Sequence, residues 1–144
     1  MQQLIVQKAD IRAMRSVEGE VPELAEGEAR LAIEHFSLTT NNVTYAATGE
    51  ALKYWQFFPA PEAGSGIVPV WGTARVVESR AELGEGTRLY GYFPMAEGLV
   101  IRPKPIAPGI YACTQPHRAG VAAVYNTYTV VPEAPAREEN LRAL

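Results

Sequence analysis

The sequence predicts a mainly β fold with short helices, and three observations lead to this prediction. The first is the stretch Val70–Pro103, here called the central ribbon, in which β-branched and aromatic residues nearly alternate between glycines and prolines. The second is the count of eleven prolines and twelve glycines in 144 residues, which favours short strands and frequent turns. The third is a hydrophobic content of 47% with 20% charged residues, which is enough to bury the core of one domain.

The central ribbon divides into three strands and two breaks. Val70–Ser79 and Thr87–Phe93 are predicted to be strands on either side of an acidic, glycine-containing turn at Ala81–Gly86. A short third strand, Leu99–Arg102, follows a break at Pro94–Gly98. The rest of the chain is expected to be arranged around these strands.

Composition limits the class of partner and the location of the protein. The net charge of −3 argues against nucleic acid or an anionic membrane as the main partner, because both are bound by basic surfaces. No apolar run reaches the roughly 18 residues that a membrane-spanning helix needs. The single cysteine, Cys113, excludes an internal disulfide, and the first residues lack the pattern of a signal peptide. These features predict a cytoplasmic protein.

The N-terminal part of the chain is predicted to contain two strands. Leu4–Lys8 has the short apolar run of a first strand, whereas the mixed residues of Ile11–Val17 are interpreted as a loop. The acidic segment Glu18–Gly27 is interrupted by glycine and proline and is predicted to be a surface connection. Glu28–Leu38 alternates in the manner of a strand, although its alanines and glutamates would also suit a helix.

A polar tetrad, Thr39–Asn42, follows this strand directly. Each of its side chains can cap a helix through an oxygen atom, so Val43–Thr48 is predicted to form one or two helical turns that stop at Gly49. A capped helix after a strand would also place several hydrogen-bonding side chains at one rim of a barrel. Two interpretations are open: capping alone, or a functional polar rim.

The next stretch is unusually aromatic. Tyr54, Trp55, Phe57 and Phe58 fall within five positions, and a loop rich in proline and glycine follows them. Aromatic residues on a loop above a scaffold pack as a hydrophobic lid or form the wall of a binding pocket, and both roles can hold together.

The C-terminal part of the chain mixes breaks with short elements. Pro103–Pro108 is interpreted as a rigid connection, and Gly109–Thr114 as a short strand. Val121–Val131 is predicted to be extended, with two tyrosines in its middle. Ala136–Leu144 has helical propensity.

Several chemistries lack their sequence signatures. With one cysteine and two distant histidines, His35 and His117, no zinc site of standard composition is predicted, while a carboxylate-only site for magnesium or calcium stays open. Two G-x-G triplets, which start at Gly64 and Gly84, do not continue as a dinucleotide-binding loop, so no cofactor-binding residue is predicted in this chain. No nucleophile elbow surrounds any serine, and Cys113 is interpreted as structural.

Phenolic and polar side chains are the candidates that are left. The chain has seven tyrosines, and a tyrosine hydroxyl beside Asn or Thr can polarise a carbonyl or donate a proton. Tyr45 is the strongest candidate because it follows the polar tetrad. His117 and Arg118 could bind an anion such as phosphate or carboxylate, or belong to a simple surface turn.

The order of these elements resembles the N-terminal GroES-like barrel of medium-chain dehydrogenase/reductases. The likeness is closer to a bacterial family of unknown function related to their zinc-independent, quinone-reductase-like branch. Where those proteins read G-x-V and then G-D-R-V-x-G, this chain reads GTARVV from Gly72 and GTRLYG from Gly86, with Thr87 in place of the usual Asp. The motifs that carry the resemblance are Leu38–Tyr45, Tyr54–Phe58, Pro69–Gly72, Tyr90–Met95, Pro116–Gly120 and Tyr125–Asn126.

The resemblance implies a GroES-like, partly open barrel over residues 1–135. Residues 136–144 would begin a connecting helix to a Rossmann domain that this chain lacks. The full-length protein would then use NADP(H), without zinc, to reduce a small-molecule substrate such as a quinone, an enone or a carbonyl compound. This chain alone would bind no cofactor and would be inert.

The resemblance and the residue patterns together give a set of candidate site residues. Thr40, Asn42 and Tyr45 are predicted to be catalytic, with Asn42 and Tyr45 polarising the acceptor. The predicted substrate-binding residues are Asn41, Tyr54, Trp55, Phe57, Tyr92, His117 and Arg118. The alternative is a non-catalytic module that binds an apolar ligand or forms a homodimer, and a family that has kept the fold but lost the chemistry is a third reading.

Overall fold

The computed structural model describes residues 1–133, in which ten strands, one α-helix and three short 3₁₀ helices are found. The strands are β1 (Gln2–Gln7), β2 (Asp10–Glu18), β3 (Ala29–Ser37), β4 (Ser65–Ile67), β5 (Pro69–Ser79), β6 (Arg88–Pro94), β7 (Gly98–Ile101), β8 (Pro103–Ala107), β9 (Ile110–Cys113) and β10 (Thr127–Val130). Helix α1 spans Thr40–Ala47, and the 3₁₀ helices span Tyr54–Gln56, Pro116–Arg118 and Ala123–Asn126. The predicted mainly β fold with short helices is confirmed.

Seven strands form one antiparallel sheet in the order β7-β3-β5-β6-β10-β9-β8, and this sheet curls into a half-barrel. Its longest strand is β5, which has 11 residues and pairs with β3 on one side and β6 on the other. The remaining strands form a second sheet in the order β2-β1-β4. The long strand predicted at the start of the central ribbon is therefore an interior strand of the larger sheet. In residues 1–133 no helix is both long enough and apolar enough to cross a bilayer.

Alternation along β5 separates the main core from the candidate site. The residues at even positions from Val70 to Val76 are buried, because successive side chains of a strand point to opposite faces of the sheet. The valines and the alanine among them pack with Leu89 and Phe93 of β6 in the main hydrophobic cluster. Each buried valine contributes about 1.5–3 kcal/mol of transfer free energy. The odd positions face the other way, and Trp71 among them packs against a second cluster.

Three further strands agree with the sequence. Leu4–Lys8, Glu28–Leu38 and Gly109–Thr114 correspond to β1, β3 and β9, with ends that differ by one or two residues. The surface connection predicted before β3 is also present, since residues 19–28 form neither a helix nor a strand.

Two segments interpreted as connections are strands, so these predictions are wrong. Ile11–Val17 lies within β2, which forms a hairpin with β1, and Pro103–Pro108 overlaps β8, which pairs with β9. Both are end strands of their sheets, and most of their side chains are exposed, so no apolar alternation marks them. Proline is tolerated at such an edge because its missing N–H has no partner to lose.

The extended structure predicted for Val121–Val131 is corrected in its first half. There the chain forms the 3₁₀ helix Ala123–Asn126, and only Thr127–Val130 is a strand. The helix predicted at Ala136–Leu144 lies outside the described residues, so the division into 1–135 and 136–144 stays a prediction.

Candidate functional site

Helix α1 begins with the cap that the polar tetrad predicts, three residues before the predicted start. Thr39 is the N-cap residue: its side chain accepts a hydrogen bond from the Asn41 N–H at 3.2 Å, and Asn42 Oδ1 accepts one from the Thr39 N–H at 2.6 Å. Asn42 Nδ2 donates to the Pro69 carbonyl at 2.9 Å, which ties the helix to the start of β5. The buried amide of Asn42 thus holds α1 in place and keeps one N–H for a further acceptor.

Tyr45 is the catalytic candidate that this helix turns inward. It lies one turn after Asn42, and both side chains are buried. Thr40 and Asn41 belong to the first turn and are exposed. Among the three residues predicted to be catalytic, the structure therefore places Asn42 and Tyr45 inside and Thr40 outside.

Seven aromatic side chains form one continuous group, here called the aromatic cluster. Its members are Tyr45, Tyr54, Phe57, Phe58, Trp71, Tyr92 and Tyr125. Tyr92 lies at its centre, with ring centroids 4.8 Å from Tyr125, 5.1 Å from Trp71, 5.2 Å from Phe57 and 5.5 Å from Tyr45. Edge-on and tilted arrangements dominate, as expected for favourable ring pairs.

The Tyr54 and Tyr92 hydroxyls of the aromatic cluster keep their protons at neutral pH. Tyr125 and burial raise the pKa of Tyr54 to about 12. Burial raises the pKa of Tyr92 further still, and the neighbouring tyrosines add to the effect. The Tyr45 oxygen accepts a hydrogen bond from Trp71 Nε1 at 3.3 Å, which leaves its own O–H free to donate. The Tyr92 hydroxyl is fully buried and has no partner in residues 1–133.

A cleft of about 220 Å³ opens beside the aromatic cluster. Its lining consists of two loop segments that face each other: Leu52, Lys53, Tyr54, Phe57, Gly120, Val121, Ala122 and Tyr125. A larger and shallower depression of about 680 Å³ lies elsewhere, against Glu26, Arg80 and Lys104, and no aromatic residue lines it. The smaller cleft is the candidate site because apolar walls and convergent polar groups are typical of ligand pockets.

His117 and Arg118 lie behind the aromatic cluster. Arg118 is buried with its guanidinium 5.0 Å from the Phe58 ring, and its Nη1 donates to the Tyr128 hydroxyl at 2.7 Å. Its Nε and Nη2 atoms have no hydrogen-bond partner within residues 1–133. Burial and the Arg118 charge lower the pKa of His117, so this imidazole is neutral at physiological pH.

The sequence model of one protein family, described as "Protein of unknown function (DUF2855)", matches residues 36–144. The chain belongs to this family. The match begins near the end of β3 and includes α1, the aromatic cluster and the cleft. A comparison with curated proteins found no match.

The DUF2855 chain shares its fold with solved structures of CurA from Vibrio vulnificus. One is "Crystal structure of CurA from Vibrio vulnificus", with a TM-score of 0.53, 15% identity and coverage of 72% of this chain. The other is CurA in complex with NADPH, with a TM-score of 0.54, 14% identity and coverage of 82% of this chain. The matched region spans 31% and 34% of the two CurA chains, about one third of their length.

The structure brings together some of the predicted substrate-binding residues of this DUF2855 chain. Tyr54, Phe57 and Tyr92 belong to the aromatic cluster, and Arg118 contacts the cluster through Phe58. Trp55 does not join them. Its indole fills a separate cluster with Val6, Ala46 and Val68.

Two members of the aromatic cluster were missed by sequence reasoning. Trp71 and Tyr125 complete the cluster, and Tyr125 also lines the cleft. Trp71 could have been found from its position, since it lies opposite the buried even positions of β5. Tyr125 had no local signal, because its 3₁₀ helix was predicted as strand.

The His, Cys, Asp and Glu side chains of the described residues bear on the metal prediction. In residues 1–133 no three His, Cys, Asp or Glu side chains lie close enough together to hold a metal ion. Cys113 is buried, with its Sγ 3.4 Å from Gln115 Oε1.

Proposed function

We propose that this chain is the substrate-side domain of a zinc-independent, NAD(P)H-dependent oxidoreductase. The observation that carries the proposal is the Tyr45 hydroxyl, whose O–H is free to donate within an aromatic cluster beside an apolar cleft. The shared fold with a CurA structure that contains NADPH supports it by analogy. Under this proposal the acceptor is a quinone, an enone or another carbonyl compound.

The cofactor would be held by a second domain. Within residues 1–133 both G-x-G triplets lie next to strands: Gly64 immediately precedes β4, and Gly84 lies in the turn between β5 and β6. Neither opens a helix, so the pyrophosphate cradle of a dinucleotide does not fit these residues. The isolated chain is therefore expected to bind no NADPH and to be inert.

The contribution of this chain is to orient and polarise the acceptor. When bound, a nicotinamide cofactor supplies a hydride to an electrophilic carbon. Negative charge then develops on the acceptor oxygen, where the Tyr45 O–H would donate a hydrogen bond, with the remaining Asn42 N–H as a second candidate. A proton from solvent completes the reduction, so each acceptor consumes one NADPH and one proton.

The test is NADPH oxidation by full-length protein in the presence of menadione or a cyclic enone, followed at 340 nm. Acceptor-dependent oxidation supports the proposal, and no oxidation with any acceptor class contradicts it. Titration calorimetry of the 144-residue chain with NADPH is the companion measurement. Tight binding there would contradict the assignment of the cofactor site to another domain.

A second candidate function is an interaction module without chemistry. Three large apolar side chains at the junction of β3 and α1 are solvent-exposed: Phe36 at 41%, Leu38 at 69% and Val43 at 62%. Such exposure favours a contact with a second copy or another domain. Sedimentation of the 144-residue chain as a monomer at high concentration would count against the homodimer.

A further inference from the structure

The Tyr92 hydroxyl is a buried polar group of the aromatic cluster to which the proposed function gives no role. Tyr92 is 0% exposed, and its hydroxyl has no hydrogen-bond partner among residues 1–133. The nearby buried Tyr128 hydroxyl differs, because it donates to the Tyr92 carbonyl at 2.9 Å and accepts from Arg118. A buried hydroxyl without a partner is unfavourable for the folded protein. A missing partner therefore needs an explanation.

The position of Tyr92 suggests that the missing partner is a ligand. Its ring contacts Phe57 and Tyr125, with centroid distances of 5.2 and 4.8 Å, and both of these side chains line the cleft. Tyr92 thus lies directly behind the cleft wall. A ligand that passes this wall meets an unused hydrogen-bond donor.

Tyr45, which like Tyr92 belongs to the aromatic cluster and lies outside the lining of the cleft, supplies a second O–H without an acceptor among residues 1–133. The Tyr45 and Tyr92 rings lie 5.5 Å apart and edge-on, and the Tyr45 oxygen is already an acceptor for Trp71. A carbonyl oxygen has two lone pairs and can accept from two donors. Two phenolic O–H groups that converge on one carbonyl oxygen form the kind of preorganised pair that stabilises developing negative charge.

The wall in front of Tyr92 is built from two short turns. Tyr54 and Tyr125 meet edge-on at 5.8 Å, and each belongs to a 3₁₀ helix of three or four residues. Lys53, directly before Tyr54, has a left-handed backbone with φ of 61°, an uncommon conformation for a residue other than glycine. Neither turn is part of a sheet ladder, so a small movement of Tyr125 would open the way to Tyr92.

We infer that Tyr92 is the second hydrogen-bond donor of the site, so that one carbonyl oxygen of an uncharged, planar aromatic ketone accepts from both Tyr45 and Tyr92. The inference rests on the proposed function for the identity of the site. The ligand is uncharged because no acidic or arginine side chain lines the cleft, and Lys53 at its rim is exposed. It is planar and aromatic because the rings of Tyr54, Phe57 and Tyr125 form the wall that it would contact.

The first experiment measures binding to the 144-residue chain without NADPH. The probe is 1-indanone, and the control ligand is indane, which has the same ring system without the oxygen. We expect 1-indanone to bind more tightly than indane. Tyr92→Phe should lower the affinity for 1-indanone about fivefold and leave the affinity for indane unchanged. Tyr111→Phe, which changes a tyrosine of β9 outside the aromatic cluster, should leave both affinities unchanged.

The second experiment separates a ligand-binding role from a structural one by thermal unfolding. Tyr92→Phe removes a hydroxyl without a partner, so we expect it to raise Tm by roughly 3 °C. Tyr128→Phe removes a hydroxyl with two partners and should lower Tm by a similar amount. A structural role for the Tyr92 hydroxyl would give a lower Tm in both variants.

The inference is overturned if 1-indanone binds no better than indane, if Tyr92→Phe leaves 1-indanone affinity unchanged, or if this variant lowers Tm. These outcomes are distinguishable from failure of the proposed function. Acceptor-dependent NADPH oxidation by full-length protein without indanone binding would leave the function standing and remove the role of Tyr92. Indanone binding with the expected Tyr92→Phe effect, but no NADPH oxidation, would leave the site and remove the redox function.

Discussion

The indole Nε1 of Trp71 donates a hydrogen bond to the Tyr45 hydroxyl across 3.3 Å. Trp71 lies on β5 and Tyr45 on α1, so this bond connects the helix that begins within the polar tetrad to the longest strand of the sheet. Because the Tyr45 oxygen accepts here, its hydrogen is left to point elsewhere. The bond therefore holds the Tyr45 side chain in place and leaves its O–H available as a hydrogen-bond donor.

Replacement of Tyr45 by phenylalanine tests this arrangement in the full-length protein. Under the proposed reductase function, we expect kcat for NADPH oxidation with menadione to fall by about 10²-fold, the order of magnitude for loss of one donor to a developing oxyanion. The free energy of unfolding should fall by only about 1 kcal/mol, because one hydrogen bond is lost and the ring remains. Tyr111→Phe is the matched control and should change neither quantity. An unchanged kcat in Tyr45→Phe would remove this residue from the reaction.

A double-mutant cycle with Trp71→Phe measures the same hydrogen bond independently. If Trp71 and Tyr45 interact as the geometry indicates, the coupling free energy from urea unfolding should be about 1 kcal/mol. A coupling near zero would contradict the interaction.

The Trp55 indole leaves no room for a side chain at two glycines. A Cβ atom at Gly49 would lie 2.2 Å from Trp55 Cε2, and one at Gly66 would lie 2.4 Å from Trp55 Cε3, so the indole is held between the two backbones. We expect Gly49→Ala and Gly66→Ala each to lower the free energy of unfolding by about 1–3 kcal/mol or more, as overpacking of a core does.

Gly84→Ala is the control for these variants. A Cβ atom at Gly84 would meet only Thr87 Oγ1 at 3.8 Å, and its backbone is not left-handed, so its stability should be nearly unchanged. Urea unfolding of the three variants gives the comparison. Wild-type stability in Gly66→Ala would show that Trp55 can move without loss.

The acid stability of the fold should depend on Glu34. Its two carboxylate oxygens accept from Arg75 Nε at 2.9 Å and Arg88 Nε at 2.6 Å, which joins β3, β5 and β6. Burial alone would raise the pKa of Glu34, but the hydrogen bonds from both arginines outweigh it and hold the pKa below its ordinary value. Since the folded pKa is the lower one, the stabilisation is complete above the unfolded pKa of about 4.3 and is lost as the pH falls through the folded value.

Glu34→Gln is the variant that tests this dependence. At pH 7 we expect it to lower the free energy of unfolding by about 3 kcal/mol, because it leaves Arg88, 8% exposed, without its carboxylate. Below about pH 4.3 the difference from wild type should shrink. Glu82→Gln changes an exposed glutamate that forms no ion pair within residues 1–133 and should follow the wild-type curve. Parallel curves for Glu34→Gln and wild type would contradict the assignment.

Local pattern was sufficient for the centre of the fold and insufficient for its edges. The β5 strand was predictable because one of its faces is buried and the other is not, so buried residues recur at every second position of its sequence. Strands β2 and β8 are held by backbone pairing with one neighbour while their side chains face solvent, so their sequences carry no period. Tyr125 reaches the aromatic cluster through a contact with Tyr92, which is 33 residues away in the sequence, and no local window contains that information.

The candidate site shows the same division. The capping box at Thr39 and Asn42 was predictable because both partners lie within four residues. The separation of Trp55 from Tyr54 and Phe57 was not predictable, although the three lie within four consecutive positions, because it depends on the space that Gly49 and Gly66 leave. Residue type therefore predicted the aromatic character of the site, and packing decided which aromatic residues belong to it.

The buried charge of Arg118 has no carboxylate partner in residues 1–133. A buried ion without a counter-charge does not stabilise a fold, and replacement by an apolar side chain of similar size is often neutral or favourable. We expect Arg118→Met to stay within about 1 kcal/mol of wild type, because the thioether can pack on Phe58 and the Tyr128 hydroxyl keeps its bond to the Tyr92 carbonyl. Arg118→Ala should be less stable than Arg118→Met by about 2–5 kcal/mol, because it leaves a cavity.

Urea unfolding of the two Arg118 variants distinguishes charge from volume. If Arg118→Met is as unstable as Arg118→Ala, the guanidinium itself supports the fold through Tyr128 and Phe58. If Arg118→Met is stable, the fold does not need the charge.

Acceptor-dependent NADPH oxidation by full-length Arg118→Met then tests the anion-binding role that the sequence predicts for His117 and Arg118. A stable variant with wild-type kcat and KM would remove Arg118 from substrate binding, whereas a raised KM for a carboxylate-bearing acceptor alone would support it.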